Sequence, residues 1–168
     1  MYELQNNFAG GYNQVMQFEF LFIGKTTDSY LVEGVEIYRK KLSHYMDVKI
    51  TTITASTGLE KQVLKDEALK ILKHVSDSDF VIVLDELGKN LSSIKFADAL
   101  QQAMNRSVKK IVFVIGSAYG LDDSIKKRAN LQLSFSGFTF THQMIRLMLM
   151  EQVYRAMTIL KGEKYHHE

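Results

Sequence analysis

Residues 112–123 read VFVIGSAYGLDD, and residues 131–168 read LQLSFSGFTFTHQMIRLMLMEQVYRAMTILKGEKYHHE. Read together, they alternate strand and helix. Residues 110–115 are a β-branched apolar run that ends in a glycine loop, Gly116-Ser117-Ala118-Tyr119-Gly120. Residues 122–129 predict a short helix, and residues 131–135 a last strand. A second loop, Ser136-Gly137-Phe138-Thr139-Phe140-Thr141, leads into a long helix over 142–160. The chain then closes on the polar tail Tyr165-His166-His167-Glu168. Two loops that follow two buried strands, and a polar tail after a very apolar helix, point to a site built at the C-terminus with help from a second subunit.

The same alternation extends upstream. Residues 18–23 form an apolar run stopped by Gly24, which predicts a buried strand. Residues 29–45 carry Leu31, Val35, Tyr38 and Leu42 at helical spacing, and 47–54 are rich in β-branched residues, a strand pattern. Residues 59–75 repeat Val63, Leu64, Ala68, Ile71, Leu72 and Val75, a helix stripe. Residues 80–84 predict a strand, and Ser92 or Ser93 can cap a helix running to about Asn105. Strands alternating with helices imply an α/β domain whose sheet is mostly parallel and flanked by helices. Near-continuous apolar strands suit a sheet covered on both faces. Ligands of such sheets bind outside the carboxyl ends of the strands. Three of those ends carry polar or glycine-rich loops: residues 84–89, 116–120 and 136–141. Residues 1–15 lack periodicity and read as a flexible extension, so the single domain is expected over 16–168, with Met16 as an alternative start.

Composition narrows the class. A chain of 168 residues suits one domain, and 46% apolar with 24% charged residues is a globular balance. No apolar run approaches the roughly 18 residues of a membrane span, and the N-terminus lacks a secretory pattern. With no cysteine, disulfides and thiolate metal sites are excluded, and a reducing compartment is compatible. The net charge of +2 requires any nucleic-acid contact to come from local patches. The candidates are Arg39-Lys40-Lys41, Lys109-Lys110 and Lys126-Lys127-Arg128, each most simply a solvated helix face or strand entrance.

The motifs exclude several chemistries. The glycine loop is neither G-x-x-x-x-G-K-[ST] nor G-x-G-x-x-G, so neither the P-loop nor the usual dinucleotide fingerprint is present. There is no H-E-x-x-H and no G-x-S-x-G, which argues against zinc proteases and α/β hydrolases. His166-His167 stand too close in sequence for a standard zinc pair. The final helix is apolar nearly all round, with Met144, Ile145, Leu147, Met148, Leu149, Met150, Val153 and Tyr154 on more than one face. A sheet covers only one side of such a helix, so the other is covered either within a monomer core, as a central helix, or by the same helix of a partner in a self-complementary dimer, which is the favoured expectation.

Three blocks occur in order: LDELGK at 84–89, VIGSAYGL at 114–121, and LSFSGFTFTHQMIRLMLMEQVYRAMTILKGEKYHHE at 133–168. The last contains T-x-x-H-x-x-x-R, then E-Q-x-Y-R-A and a terminal Y-H. With MQFEFLFIGK beginning at Met16, this order resembles the RlmH (YbeA-like) large-subunit ribosomal RNA methyltransferases of the SPOUT superfamily, over residues 16–168. The resemblance implies methylation of N3 of a pseudouridine in 23S ribosomal RNA, with S-adenosylmethionine as cofactor. It also implies a fold with a C-terminal trefoil knot, a homodimer, the ribosome as partner, a cytoplasmic location, and no metal or membrane.

By the same resemblance the cofactor would be held at Leu84, Gly116, Phe135, Ser136, Gly137, Phe138, Thr139 and Phe140. Two positions depart from the family pattern. Ser117 stands where a second glycine is common, and Thr141 where a proline commonly precedes the histidine; without that proline a more mobile loop is expected. Methylation at N3 needs a positioned acceptor and a way to handle its imide proton. Arg155, His166 and Tyr165 are the expected catalytic residues: Arg155 to neutralise charge or hold a phosphate, His166 to accept the proton directly or through a water, and Tyr165 to contact the RNA. Arg155 can also simply pair with Glu151 at i,i+4, and His142 can simply cap the helix or support the loop. A non-catalytic RNA-binding module would need the basic patches but no cofactor loops. A SPOUT enzyme acting on transfer RNA often carries an added RNA-binding domain, for which this chain is too short.

Overall fold

The apolar runs pair as one parallel sheet in the order β2-β1-β4-β3-β5. The computed structural model describes residues 16–106 and 108–167. Its elements are β1 (Gln17–Ile23), α1 (Ser29–Leu42), β2 (Asp47–Ile53), α2 (Glu60–Leu72), β3 (Phe80–Asn90), α3 (Ser93–Asn105), β4 (Lys110–Ile115), α4 (Asp123–Arg128), β5 (Leu131–Ser134) and α5 (Met144–Leu160). This is the expected α/β class, with a parallel sheet flanked by helices. The extension expected over residues 1–15 lies outside the described residues.

Within each apolar run, alternate residues serve opposite faces, and the two faces differ in kind. Phe18, Phe20, Phe22, Phe80, Ile82, Ile111 and Phe113 meet α1, α3 and α5 through Val35, Leu42, Phe96, Leu100, Leu149, Met150 and Val153. The rings interlock: Phe20 stacks on Phe113 at 4.7 Å, and Phe18 meets the same ring edge-on at 5.4 Å. Leu21, Ile23, Val81, Val83, Val112 and Val114 meet α2 and α4 through Ala68, Ile71 and Ile125. Each fully buried β1 phenylalanine contributes roughly 2–3 kcal/mol by leaving water.

At the amino end of the sheet, Glu19 is buried on β1 but fully engaged. It accepts from Lys110 Nζ at 2.8 Å and Thr51 Oγ1 at 2.7 Å, and pairs with Lys49 at 3.0 Å. Burial alone would push this carboxyl up. The hydrogen bonds from Lys110, Thr51 and Lys49 outweigh it and hold the group below the usual glutamate value. The basic clusters are largely drawn into such contacts: Arg39 pairs with Glu36, Lys110 with Glu19, and Arg128 donates to the Ser76 and Asp79 carbonyls.

One boundary differs from expectation. Residues 84–89 read as a loop, yet β3 continues to Asn90, with its pairing to β5 broken between Leu84 and Lys89 and then resumed. Gly88 is the reason it can. A Cβ there would lie 2.6 Å from the Leu133 carbonyl carbon, so only glycine lets β3 run this close to β5.

Helix α5 lies against α1 and α3. It buries Arg146, Leu149, Met150, Val153, Ala156, Met157 and Thr158 and leaves Met144, Ile145, Leu147, Met148 and Ile159 half-covered. Before its first turn, Thr141 Oγ1 accepts from the Met144 amide at 3.2 Å, and the Thr141 carbonyl from the Ile145 amide at 3.1 Å. Thr141 therefore supplies a side-chain cap that a proline could not.

Candidate active site

The carboxyl ends of β3, β4 and β5 enclose a cleft of about 320 Å³. Ligands of open α/β sheets are held at this end. Of the expected cofactor residues, Leu84, Gly116, Phe135, Ser136, Phe138, Thr139 and Phe140 line the cleft; Gly137 sits in the same loop without lining it. The β4 loop folds back on itself: the Gly120 amide donates to the Ser117 carbonyl at 3.0 Å, and Gly120 has φ +84°. A Cβ on Gly116 would stand 2.1 Å from the Gly120 carbonyl oxygen, so the turn requires glycine at 116. In the β5 loop, Ser134 Oγ donates to the Ser136 carbonyl and Ser136 Oγ accepts from the Phe138 amide, which leaves the Phe138 ring exposed at the cleft rim.

Beyond the expected cofactor positions, the cleft gathers polar residues whose contacts the sequence pattern does not show. Lys126 of α4 crosses to Asp85 at 2.5 Å, and Asp85 Oδ1 also accepts from the Leu87 amide. Burial raises the Asp85 carboxyl, but these two hydrogen bonds bring it below the usual aspartate value. Asp85 stands at a strand end and Lys126 in a basic cluster, the only signals the sequence offered. His142 lines the cleft, its imidazole held below the ordinary value by burial and then by the charge of Arg146.

Arg146 itself is fully buried, and no carboxylate pairs with it among the described residues. It donates to the Ile23 carbonyl and Thr26 Oγ1, faces the Phe22 ring at 5.1 Å, and leaves Nε without a partner among the described residues. Burial lowers its guanidinium to about 10. With Gln143, which accepts from the Thr27 amide at 2.6 Å, it ties the β1 loop to the start of α5. Its position in T-x-x-H-x-x-x-R was visible, but its burial was not.

The expected catalytic residues gather elsewhere. Arg155 Nη1 lies 3.5 Å from His166 Nδ1, and its guanidinium sits 4.8 Å from the centre of the Tyr165 ring. Glu151 Oε1 accepts from Arg155 Nη2 at 2.5 Å and from Tyr165 Oη at 3.1 Å. The i,i+4 pair is therefore made, and it raises the Arg155 guanidinium above its ordinary value. The tail is pinned further by Tyr38 Oη, 3.3 Å from Tyr165 Oη, and by Tyr45, which donates to Glu163. None of Arg155, Tyr165 and His166 lines the cleft. Ile145, which does, precedes Arg155 by ten residues, about 15 Å of helix.

A family model described as "Predicted SPOUT methyltransferase" matches residues 16–166. The chain belongs to the SPOUT methyltransferase family. Among its relatives is the "Ribosomal RNA large subunit methyltransferase H" of Cytophaga hutchinsonii, 44% identical over 155 residues, covering 90% of this chain and all of the relative. The protein of the same name from Desulfotalea psychrophila is 43% identical over 153 residues, covering 90% and 99%. Among solved structures, the tRNA (m1G37) methyltransferase of Aquifex aeolicus superposes with a TM-score of 0.51 at 16% identity. That match covers 83% of this chain and 69% of the other, a likeness of fold alone.

Proposed function

We propose that this chain methylates N3 of a pseudouridine in large-subunit ribosomal RNA, using S-adenosylmethionine, as a cytoplasmic homodimer with the trefoil knot its family implies. The observation that carries the proposal is the convergence of three strand-end loops on one cleft. The similarity to relatives named for ribosomal RNA large subunit methylation adds the substrate class.

The residues present suit the cofactor. A volume of about 320 Å³ is in the range of small-molecule sites. Leu84, Leu121, Leu133, Phe135 and Phe140 offer apolar walls for a purine, and the main chain of the two loops offers donors and acceptors for its edges. Glu86 brings negative charge for the sulfonium and ammonium of the ligand, and the Asp85–Lys126 pair sets one charge of each sign at the cleft of a ligand that also carries a carboxylate. When bound, the cofactor supplies a methyl group already activated toward a nitrogen nucleophile. The protein's task is then to seat the acceptor and manage its charge.

Arg155, Tyr165 and His166 are the groups suited to that task, and they stand too far along α5 to reach the cleft of their own subunit. Met144 and Met148, half-covered on α5 and outside the core clusters, offer the contact through which a second copy would bring its tail to that cleft. The test is mass spectrometry of ribosomal RNA from cells lacking the gene. Loss of one N3-methylpseudouridine, restored by purified protein and S-adenosylmethionine, is the expected result. An unchanged N3-methylpseudouridine in ribosomal RNA from those cells, or methylation of transfer RNA instead, would overturn it.

A further inference from the structure

Among the described residues, Glu151 is the acid that bonds to two members of the tail cluster, Arg155 and Tyr165. A single oxygen, Oε1, accepts from Arg155 Nη2 and from Tyr165 Oη, while Oε2 accepts from Gln152 Nε2 at 2.7 Å. Tyr165 has one proton and gives it to this carboxylate, so Tyr38 must be the donor in the contact between the two hydroxyls. The guanidinium is thereby held in one orientation, with Nη1 toward His166.

An arginine can only donate. For His166 Nδ1, 3.5 Å from Arg155 Nη1, to accept from the guanidinium, the ring hydrogen must reside on Nε2. Neither ring nitrogen is then open to receive a proton: one is engaged by the guanidinium and the other already carries hydrogen. We propose that Glu151 is the positioning residue of this tail and that, through Arg155, it sets His166 as an Nε2–H donor that steadies negative charge on the methyl acceptor, rather than as the base that deprotonates it. This rests on the reading of the acceptor as an imide. The N3–H proton passes to water and its electron pair stays on N3. With S-adenosylmethionine bound, that pair would form the N3–C bond as the C–S bond broke, its electrons going to sulfur. Arg155 and the His166 Nε2–H carry the imide charge until the bond forms.

The tautomer is directly measurable. In the full-length protein with ¹⁵N-labelled histidine, the His166 imidazole shifts should report Nε2–H, and Glu151→Ala should move them toward a mixture. Observation of Nδ1–H in the wild type would overturn the proposal without reference to activity. Steady-state methylation of ribosomes lacking the modification supplies the second arm. Glu151→Ala should lower kcat by about 100-fold with the KM for S-adenosylmethionine within twofold, the size of a lost transition-state contact. Glu151→Gln, which keeps an acceptor for both donors, should recover about tenfold of that loss. His166→Gln, which keeps an N–H but is no base, should stay within about tenfold of wild type, while His166→Ala loses about 100-fold. Equal loss in His166→Gln and His166→Ala, or wild-type kcat in Glu151→Ala, would overturn the proposal. Failure of the wild type itself to methylate would instead overturn the functional reading.

Discussion

The cleft and the tail cluster solve opposite problems. The cleft is built from main chain at three strand ends, and its shape depends on what side chains are absent, above all at Gly116. The cluster is built from side chains on α5 and the tail, and it depends on what they bond to: Glu151, Arg155, Tyr165 and His166 satisfy one another. A binding surface made of backbone tolerates most substitutions around it and fails at a few. A charge cluster fails by degrees as each partner is removed.

That contrast predicts separable defects. The largest effect is expected in the cluster: Arg155→Ala should reduce methyl transfer by about 10²–10³-fold, with S-adenosylmethionine affinity by calorimetry unchanged. Wild-type turnover in Arg155→Ala and in His166→Ala together would remove the cluster from the mechanism. In the cleft, Gly116→Ala should cost about 2 kcal/mol of cofactor affinity, a roughly 30-fold rise in Kd, because the added methyl meets the Gly120 carbonyl oxygen. Mixing Arg155→Ala with Gly116→Ala, at S-adenosylmethionine well below the Kd of the glycine variant so that each alone is nearly silent, tests whether the halves work across subunits. Exchange should restore up to about a quarter of wild-type activity through dimers with one intact site, and no recovery would place both halves in one subunit's site.

Smaller effects should fall outside both regions. Glu19→Gln should lower stability by about 2 kcal/mol at neutral pH by breaking a buried ion network, while cofactor affinity holds. The Glu19 carboxyl lies below its ordinary value in the folded state. Its contribution is therefore complete above the unfolded value and disappears as pH falls through the folded one. Urea unfolding from neutral to acid pH should show a shallower acid limb in the variant than in the wild type; parallel limbs would exclude Glu19 as its source. Asp122→Ala, which removes the side chain that accepts from the Ser124 amide at the start of α4, should cost about 1 kcal/mol and leave turnover intact.

Strand and helix order was plain in the pattern of apolar residues: the central runs of β1, β3 and β4 are covered on both faces and mostly apolar, while the edge strand β2 shows itself by its β-branched residues. The division of those runs into an aromatic and an aliphatic face was equally present, since Phe18, Phe20 and Phe22 alternate with Glu19, Leu21 and Ile23. The extension of β3 was hidden: residues 85–90 are polar and carry a glycine, and only the backbone of β5 explains why the strand resumes. Cofactor positions came from the family likeness, because main-chain contacts leave no composition behind them. Arg146 was visible as a letter in a motif, but its burial, with no carboxylate paired to it among the described residues, depends on how the β1 loop meets α5. The distance between the tail and the cleft follows from helix length, yet it matters only once the cleft has been located.

The strand order also sets a sequence of events during synthesis. β1 pairs with β2 on one side and with β4 on the other, and β4 is also the only bridge from β1 to β3. Until residues 110–115 leave the ribosome, β1 and β3 each carry an open edge of apolar residues with no partner. β4, the last strand to enter the middle of the sheet, therefore joins its two halves, β5 then covers the other edge of β3, and the nascent chain needs protection for the interval before β4 emerges. Slowing translation just after β4 should favour correct insertion, whereas a pause just before it prolongs the exposed state.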